Sequence, residues 1–259
     1  MGSVKRYIEA CEAEEAMIEW IREHADLGVE PGDEEWEDLK AQYLSGQFTD
    51  DDYWEDEFLQ DEVFRLGSEN YAYRQFSEQM EELKDDITSK PSESALKMMY
   101  SYSITLMETC LGDMIKSLIL RNNHFFENAI DDVEELKKEK LSLKDVYLNP
   151  DIVKTVAIRK FSDYLYHNIE KTVQVYGAVL GEKVPDNVKK EIPEVCKIAK
   201  IRHDIVHRNG FDKEGTKITL SKDILIKALE DISNFVESMS VWIDAAESNL
   251  QEHLLQETE

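Results

Sequence analysis

Apolar residues recur at three- and four-residue intervals along most of the chain beyond residue 90, the period at which one face of an α-helix turns toward a core. From Pro91, a residue suited to a first helical turn, Leu96, Met99, Leu106, Met107, Cys110, Leu111, Met114 and Leu118 lead to the polar run Arg121-Asn122-Asn123. A second segment opens at Asn149-Pro150-Asp151 and carries Val153, Val156, Ile158, Phe161, Leu165, Ile169 and Val173 toward Gly177 and Gly181. A third begins near Pro193, carries Val195, Ile198, Ile201 and Ile205, and stops at Gly210, where a glycine suits the left-handed position that follows a helix. Thr216 to Leu220 form a brief extended piece, and Ser221 opens a last helix through Ile224, Leu225, Leu229, Ile232, Phe235, Met239 and Trp242. With no internal repeat and no alternation of strand and helix periods, the pattern predicts an all-α, up-and-down helical bundle.

The first 90 residues read differently. Asp33 or Thr49 can cap helices that carry Trp36, Leu39 and Tyr43, or Tyr53, Trp54, Phe58, Val63 and Phe64, with Gly46 and Gly67 as stops. Trp20, Trp36 and Trp54 are three of the four tryptophans, too much aromatic surface for a merely solvating acidic segment. Charge separates the two parts. Residues 1–90 hold 8 basic and 27 acidic residues, and residues 91–259 hold 22 and 29, within a total of -26. Ser89-Lys90-Pro91-Ser92 sits at the change with turn-forming chemistry, which places a boundary near 91: an acidic helical region over 1–90, then a bundle over 91–259.

Composition then excludes several classes. With 42% apolar residues and only 10 Gly and 5 Pro in 259 positions, the chain is neither collagen-like nor wholly disordered. The acidic balance argues against broad contact with a phosphate backbone, so nucleic acid, if bound, meets a local basic patch. No stretch of 18 apolar residues spans a bilayer, and Glu9, Glu12, Glu14 and Glu15 stand where a signal peptide needs an apolar core; a cytoplasmic protein with no membrane partner is expected. Cys11, Cys110 and Cys196 are far apart and form no CxxC pair, which points to reduced, mostly buried thiols. Phosphate-binding glycine loops are missing, since Gly177 and Gly181 have the wrong spacing. His203 and His207 are one helical turn apart, as zinc ligands can be, but have no Cys or third His nearby in sequence, so neither metal nor cofactor is expected.

The run Ile201 to Gly210 stands apart, with Arg202, His203, His207 and Arg208 inside seven positions of an acidic chain. Arg202 has Ile198, Ile205 and Val206 as helical neighbours, so its charge stands at the margin of an apolar stripe and needs a carboxylate or phosphate partner. His207 follows Asp204 by three residues and lies in the last helical turn; both features favour a protonated imidazole and suit proton transfer near neutrality. The same residues also suit plainer work, His207 as a helix cap and Arg202 as half of an ion pair with Glu108, which interrupts the apolar run Ile104 to Leu111.

Arg202 to His207 resembles the R-x4-6-H signature of the HEPN superfamily, and Arg208-Asn209-Gly210 resembles the polar, glycine-containing exit that follows it. The likeness covers roughly residues 91–250. It implies a helical bundle that pairs two-fold, bringing two motifs to one cleft, and a metal-independent endoribonuclease of the toxin or antiphage kind. On this chain it implies His207 as acid/base residue, Arg202 stabilising the scissile phosphate, and His203 positioning RNA or the partner motif. Asp204 would orient His207, Asn209 would contact RNA, and Glu108 would face the motif; Arg208, Lys200 and Lys197 would grip phosphates. Asn209 stands two residues after the His, where related toxins that work with a nucleotidyltransferase antitoxin often have Tyr, so adenylylation there is not expected. The expected partners are RNA, a second copy of the chain, and a protein partner or inhibitor at residues 1–90. Two alternatives stand beside this: a catalytically silent dimerisation or partner-binding module, and an acidic first part acting as a nucleic-acid mimic or a lid.

Overall fold

Local capping chemistry sets the helix boundaries. The computed structural model describes residues 31–45, 70–164 and 166–257, with positions 17, 18, 21, 29 and 66. The chain divides into two compact units, 1–61 and 62–259. In the first, α1 (Glu34–Ser45) begins with the Glu37 N–H donating to the Asp33 carbonyl, and Trp36 is buried, as the Asp33 pattern predicts. The expected helix of Thr49, Tyr53, Trp54, Phe58, Val63 and Phe64, together with Trp20, Gly46, Gly67, Cys11 and Leu165, lies outside the described residues.

The second unit contains α2 (Tyr71–Asp85), α3 (Glu93–Arg121), α4 (Asn123–Asp132), α5 (Glu134–Lys137), α6 (Leu143–Leu148), α7 (Ile152–Ser162), α8 (Ile169–Leu180), α9 (Asp186–His207) and α10 (Lys222–Glu257). Among the described residues there is no strand, and the extended piece expected over 216–220 reduces to one antiparallel bridge, Phe211 with Lys217. The fold is all-α. Among the described residues no helix is long and apolar enough to cross a membrane.

α3 is the centre. The Ser92 hydroxyl accepts from the Ala95 N–H and opens it, and α2, α4, α7, α9 and α10 pack around it. A helix covered on so many sides must be apolar nearly all round; Ile104, Met107, Leu111, Ile115 and Leu118 are fully buried, each contributing about 1.5–3 kcal/mol on the usual scale of side-chain burial. Two hydroxyls here find backbone partners. Tyr176 of α8 donates its hydroxyl to the Leu111 carbonyl, and the Ser117 hydroxyl donates to Leu66 at 2.8 Å.

The structure corrects three boundaries. The bundle takes in α2, whose Phe76, Met80 and Leu83 are buried and which packs on α3 and α10, so the compact unit starts at 62 rather than 91. The charge asymmetry belongs to residues 1–61, which hold 4 basic and 20 acidic residues, whereas 62–90 hold 4 and 7. The helix expected from 150 to 181 is two helices, because the chain turns at 163–168. There the Tyr166 hydroxyl donates to Phe161 at 2.8 Å, and the Asn168 side chain accepts from the Lys171 N–H at 3.2 Å to start α8. Gly112 permits this turn to seat, since a Cβ on it would lie 3.0 Å from the Tyr166 ring. α9 begins at Asp186, with Pro193 inside it. Val188 already sits on the buried face, and Pro193 is exposed, where water can reach the carbonyl left without its helical donor.

Because the Asn168 cap is what starts α8, Asn168→Ala should lower the unfolding free energy by about 1 kcal/mol. Urea titration followed by circular dichroism reads this; an unchanged midpoint would refute the role of the cap.

Candidate functional site

α9 ends in two consecutive left-handed residues, Asn209 at φ 54° and Gly210 at φ 81°. Asn and Gly tolerate that conformation best, which is why the helix stops here. The turn is then pinned from several directions. Gly210 N–H donates to the Asp204 carbonyl at 3.1 Å, Ile218 N–H donates to the Gly210 carbonyl at 2.8 Å, and the Asp212 carboxylate accepts from the N–H groups of Glu214 and Thr216. Lys217 and Lys97 both pair with Glu93, at 2.9 and 2.8 Å, tying the turn to the start of α3. Hydrogen bonds from these two lysines hold the Glu93 carboxyl down at about 2.

This ending presents Arg202, His203 and His207 to one open cleft of about 490 Å³. Lys200 and Cys196 of α9 also line it, together with His167, Asn168 and Glu170 from the turn before α8 and its first residues. The rings of His203 and His207 lie 4.8 Å apart at 43°, and both are exposed. Arg202, Lys200 and three imidazoles against Glu170 make a local basic site on a chain of net charge -26. Such a cleft suits an anion that also needs protons moved.

The other sequence candidates fall elsewhere. Asp204 has its side chain 4% exposed and pairs with Arg208 at 2.5 Å; its partner is that guanidinium one turn on, not His207. Arg208 is thereby engaged, and neither residue lines the cleft. Lys197 pairs with Glu194 at 2.6 Å, also away from the cleft, so of the three expected phosphate contacts Lys200 alone is in the cleft wall. Asn209 is exposed and serves the turn.

Glu108 comes from α3 and is partly buried. Its Oε1 is enclosed without a hydrogen-bond partner, as is Nε of Arg202. Burial raises the Glu108 carboxyl above its ordinary range, and the nearby positive charges of Arg202 and His167 offset this in part. Cys196 is not a nucleophile of the thiolate kind: burial, then the Glu170 carboxylate, push its thiol up, against a smaller opposing effect of the Glu170 N–H.

His167 escaped the sequence reading because the pattern placed it inside a continuous helix. The cap residue Asn168 was the signal that a turn precedes α8. Among the described residues no group of three or more His, Cys, Asp and Glu side chains is placed to hold a metal ion. No family model, curated protein or solved structure matches the chain.

A pH dependence follows from Glu108. A carboxyl whose folded pKa is raised above its ordinary 4.5 contributes stability that is complete below that value and is lost as pH rises through the raised one. Glu108→Gln should therefore gain stability relative to the wild-type chain on going from pH 4 to pH 7. Chemical denaturation at the two pH values checks this; a stability difference, variant minus wild type, that stays constant or falls from pH 4 to pH 7 would refute it.

Proposed function

We propose that the chain is a metal-independent endoribonuclease in which Arg202 and His207 act on the scissile phosphate, as the likeness of Arg202 to His207 to the HEPN signature implies. The observation that supports it is the convergence of Arg202, His203, His207 and Lys200 on a single open cleft of an acidic chain. Toxicity or antiphage defence is the setting the resemblance implies.

The chemistry follows from the groups. His207 takes the proton from the ribose 2′-hydroxyl, the 2′-oxygen attacks phosphorus, and the bond to the 5′-oxygen breaks as that oxygen gains a proton. Arg202 meets the negative charge that builds on the non-bridging oxygens, where its fork of donors is best used. Lys200 holds a neighbouring phosphate, and His203, one turn before His207, positions the strand. The products are a 2′,3′-cyclic phosphate and a 5′-hydroxyl.

His207→Ala should lower cleavage of single-stranded RNA about 10²–10⁴-fold, the usual worth of a general acid–base residue, with RNA binding retained. Cleavage by the wild-type chain should persist in EDTA and leave cyclic ends, read by gel and mass spectrometry. Loss of activity in EDTA, or 3′-hydroxyl products, would rule the mechanism out; binding without cleavage would point to the silent module.

Pairing of two chains is part of the same reading. Val206, one turn beyond Arg202, is 49% exposed, an apolar side chain beside the motif that a second copy would cover. Light scattering at tens of micromolar should give a dimer mass; a strict monomer with full activity would refute the pairing.

A further inference from the structure

We propose that His167 is the second proton-transfer residue of the cleft, protonating the leaving 5′-oxygen while His207 serves the 2′-hydroxyl. This rests on the ribonuclease reading and deepens it, placing both acid and base in the cleft of a single protomer.

The requirement comes from the reaction. In an in-line displacement the attacking 2′-oxygen and the departing 5′-oxygen stand on opposite sides of phosphorus, so one proton must be removed on one side and another delivered on the other. His203 and His207 cannot divide that work easily, because they sit one turn apart on one helix face, with ring centroids 4.8 Å apart. His167 comes from a different segment, the turn before α8, and is exposed at the same cleft.

The residue is also held where it can act. The chain on either side is fixed: Tyr166 is buried, with its hydroxyl on the Phe161 carbonyl, and Asn168 caps α8. The backbone that carries His167 is therefore set at the cleft. Glu108, on α3, lies near enough to both Arg202 of α9 and His167 for their charges to act on its carboxyl.

The step balances without a co-reactant. Neutral His207 accepts the 2′-proton as the 2′-oxygen to phosphorus bond forms. Protonated His167 gives its proton to the 5′-oxygen as the bond from phosphorus to that oxygen breaks. His207 leaves the step protonated and His167 neutral, and exchange with water restores both.

The experiment compares the full-length wild-type chain, His167→Ala, His167→Gln and His207→Ala on two mixed-sequence single-stranded RNAs. One is unmodified; in the other, sulfur replaces the bridging 5′-oxygen at one linkage. A thiolate leaves without being protonated, so loss of the acid is relieved and loss of the base is not. The expected result is that His167→Ala and His167→Gln cut the unmodified RNA about 10²-fold or more slowly, while binding it with wild-type affinity by fluorescence anisotropy, and regain near wild-type rates at the sulfur linkage. His207→Ala should stay slow on both. Wild-type rates for the His167 variants on unmodified RNA, or no recovery at the sulfur linkage, would overturn the assignment and leave the ribonuclease reading intact. A wild-type chain that binds RNA without cutting it would overturn both.

Discussion

A helix enclosed on most of its sides has no face on which to leave a polar group at no cost, and α3 is such a helix. Two of its serines and its cysteine reach backbone carbonyls: Ser103 bonds Tyr100, Ser117 bonds Leu66, and Cys110 approaches Ala72 at 3.6 Å. Its buried charges are matched internally, Asp113 with Lys116 at 3.1 Å. Removing either partner of such a pair leaves an uncompensated charge, costing several kcal/mol at the upper end. Glu108 and Ser101 depart from this economy, each with one oxygen enclosed and unbonded. Glu108 also feels the charges of Arg202 and His167, two residues that line the cleft.

The cleft itself is a consequence of two helix ends. α9 stops because Asn209 and Gly210 take left-handed backbone, and α8 starts because Asn168 offers its side chain to Lys171. The basic residues arrive on the first, the third imidazole just before the second. The residues that line the cleft are thus carried by two helices and by the turn between α7 and α8.

How much of this the sequence disclosed depends on what each signal measures. α3 and α10 were legible because apolar spacing, Ser92 and Ser221 agree with one another. The turn at 163–168 was not, because Phe161, Leu165, Ile169 and Val173 are four apart and keep helical phase straight through it. Periodicity reports a face, not continuity. The boundary near 91 failed because one sum over residues 1–90 hid where the charge lies: residues 1–61 hold 4 basic and 20 acidic residues and 62–90 hold 4 and 7, so the charge changes near 61, where the compact units divide. Asp204 had His207 and Arg208 within reach at three and four residues, and the guanidinium makes the stronger pair. Arg202, His203, His207 and Lys200 were found together in the cleft, whereas Arg208 and Lys197 were spent on local pairs.

A small cationic cleft on a chain of net charge -26 acts at short range only. Beyond the screening length, about 8 Å at physiological salt, the field of exposed charges is largely lost, so neither the net charge nor the cleft steers a distant anion. Inside that length the nearest groups decide, and in the cleft these are Arg202 and Lys200 against Glu170. On the ribonuclease reading, RNA would be held only where a phosphate is brought up to the cleft itself, and added salt would weaken that hold.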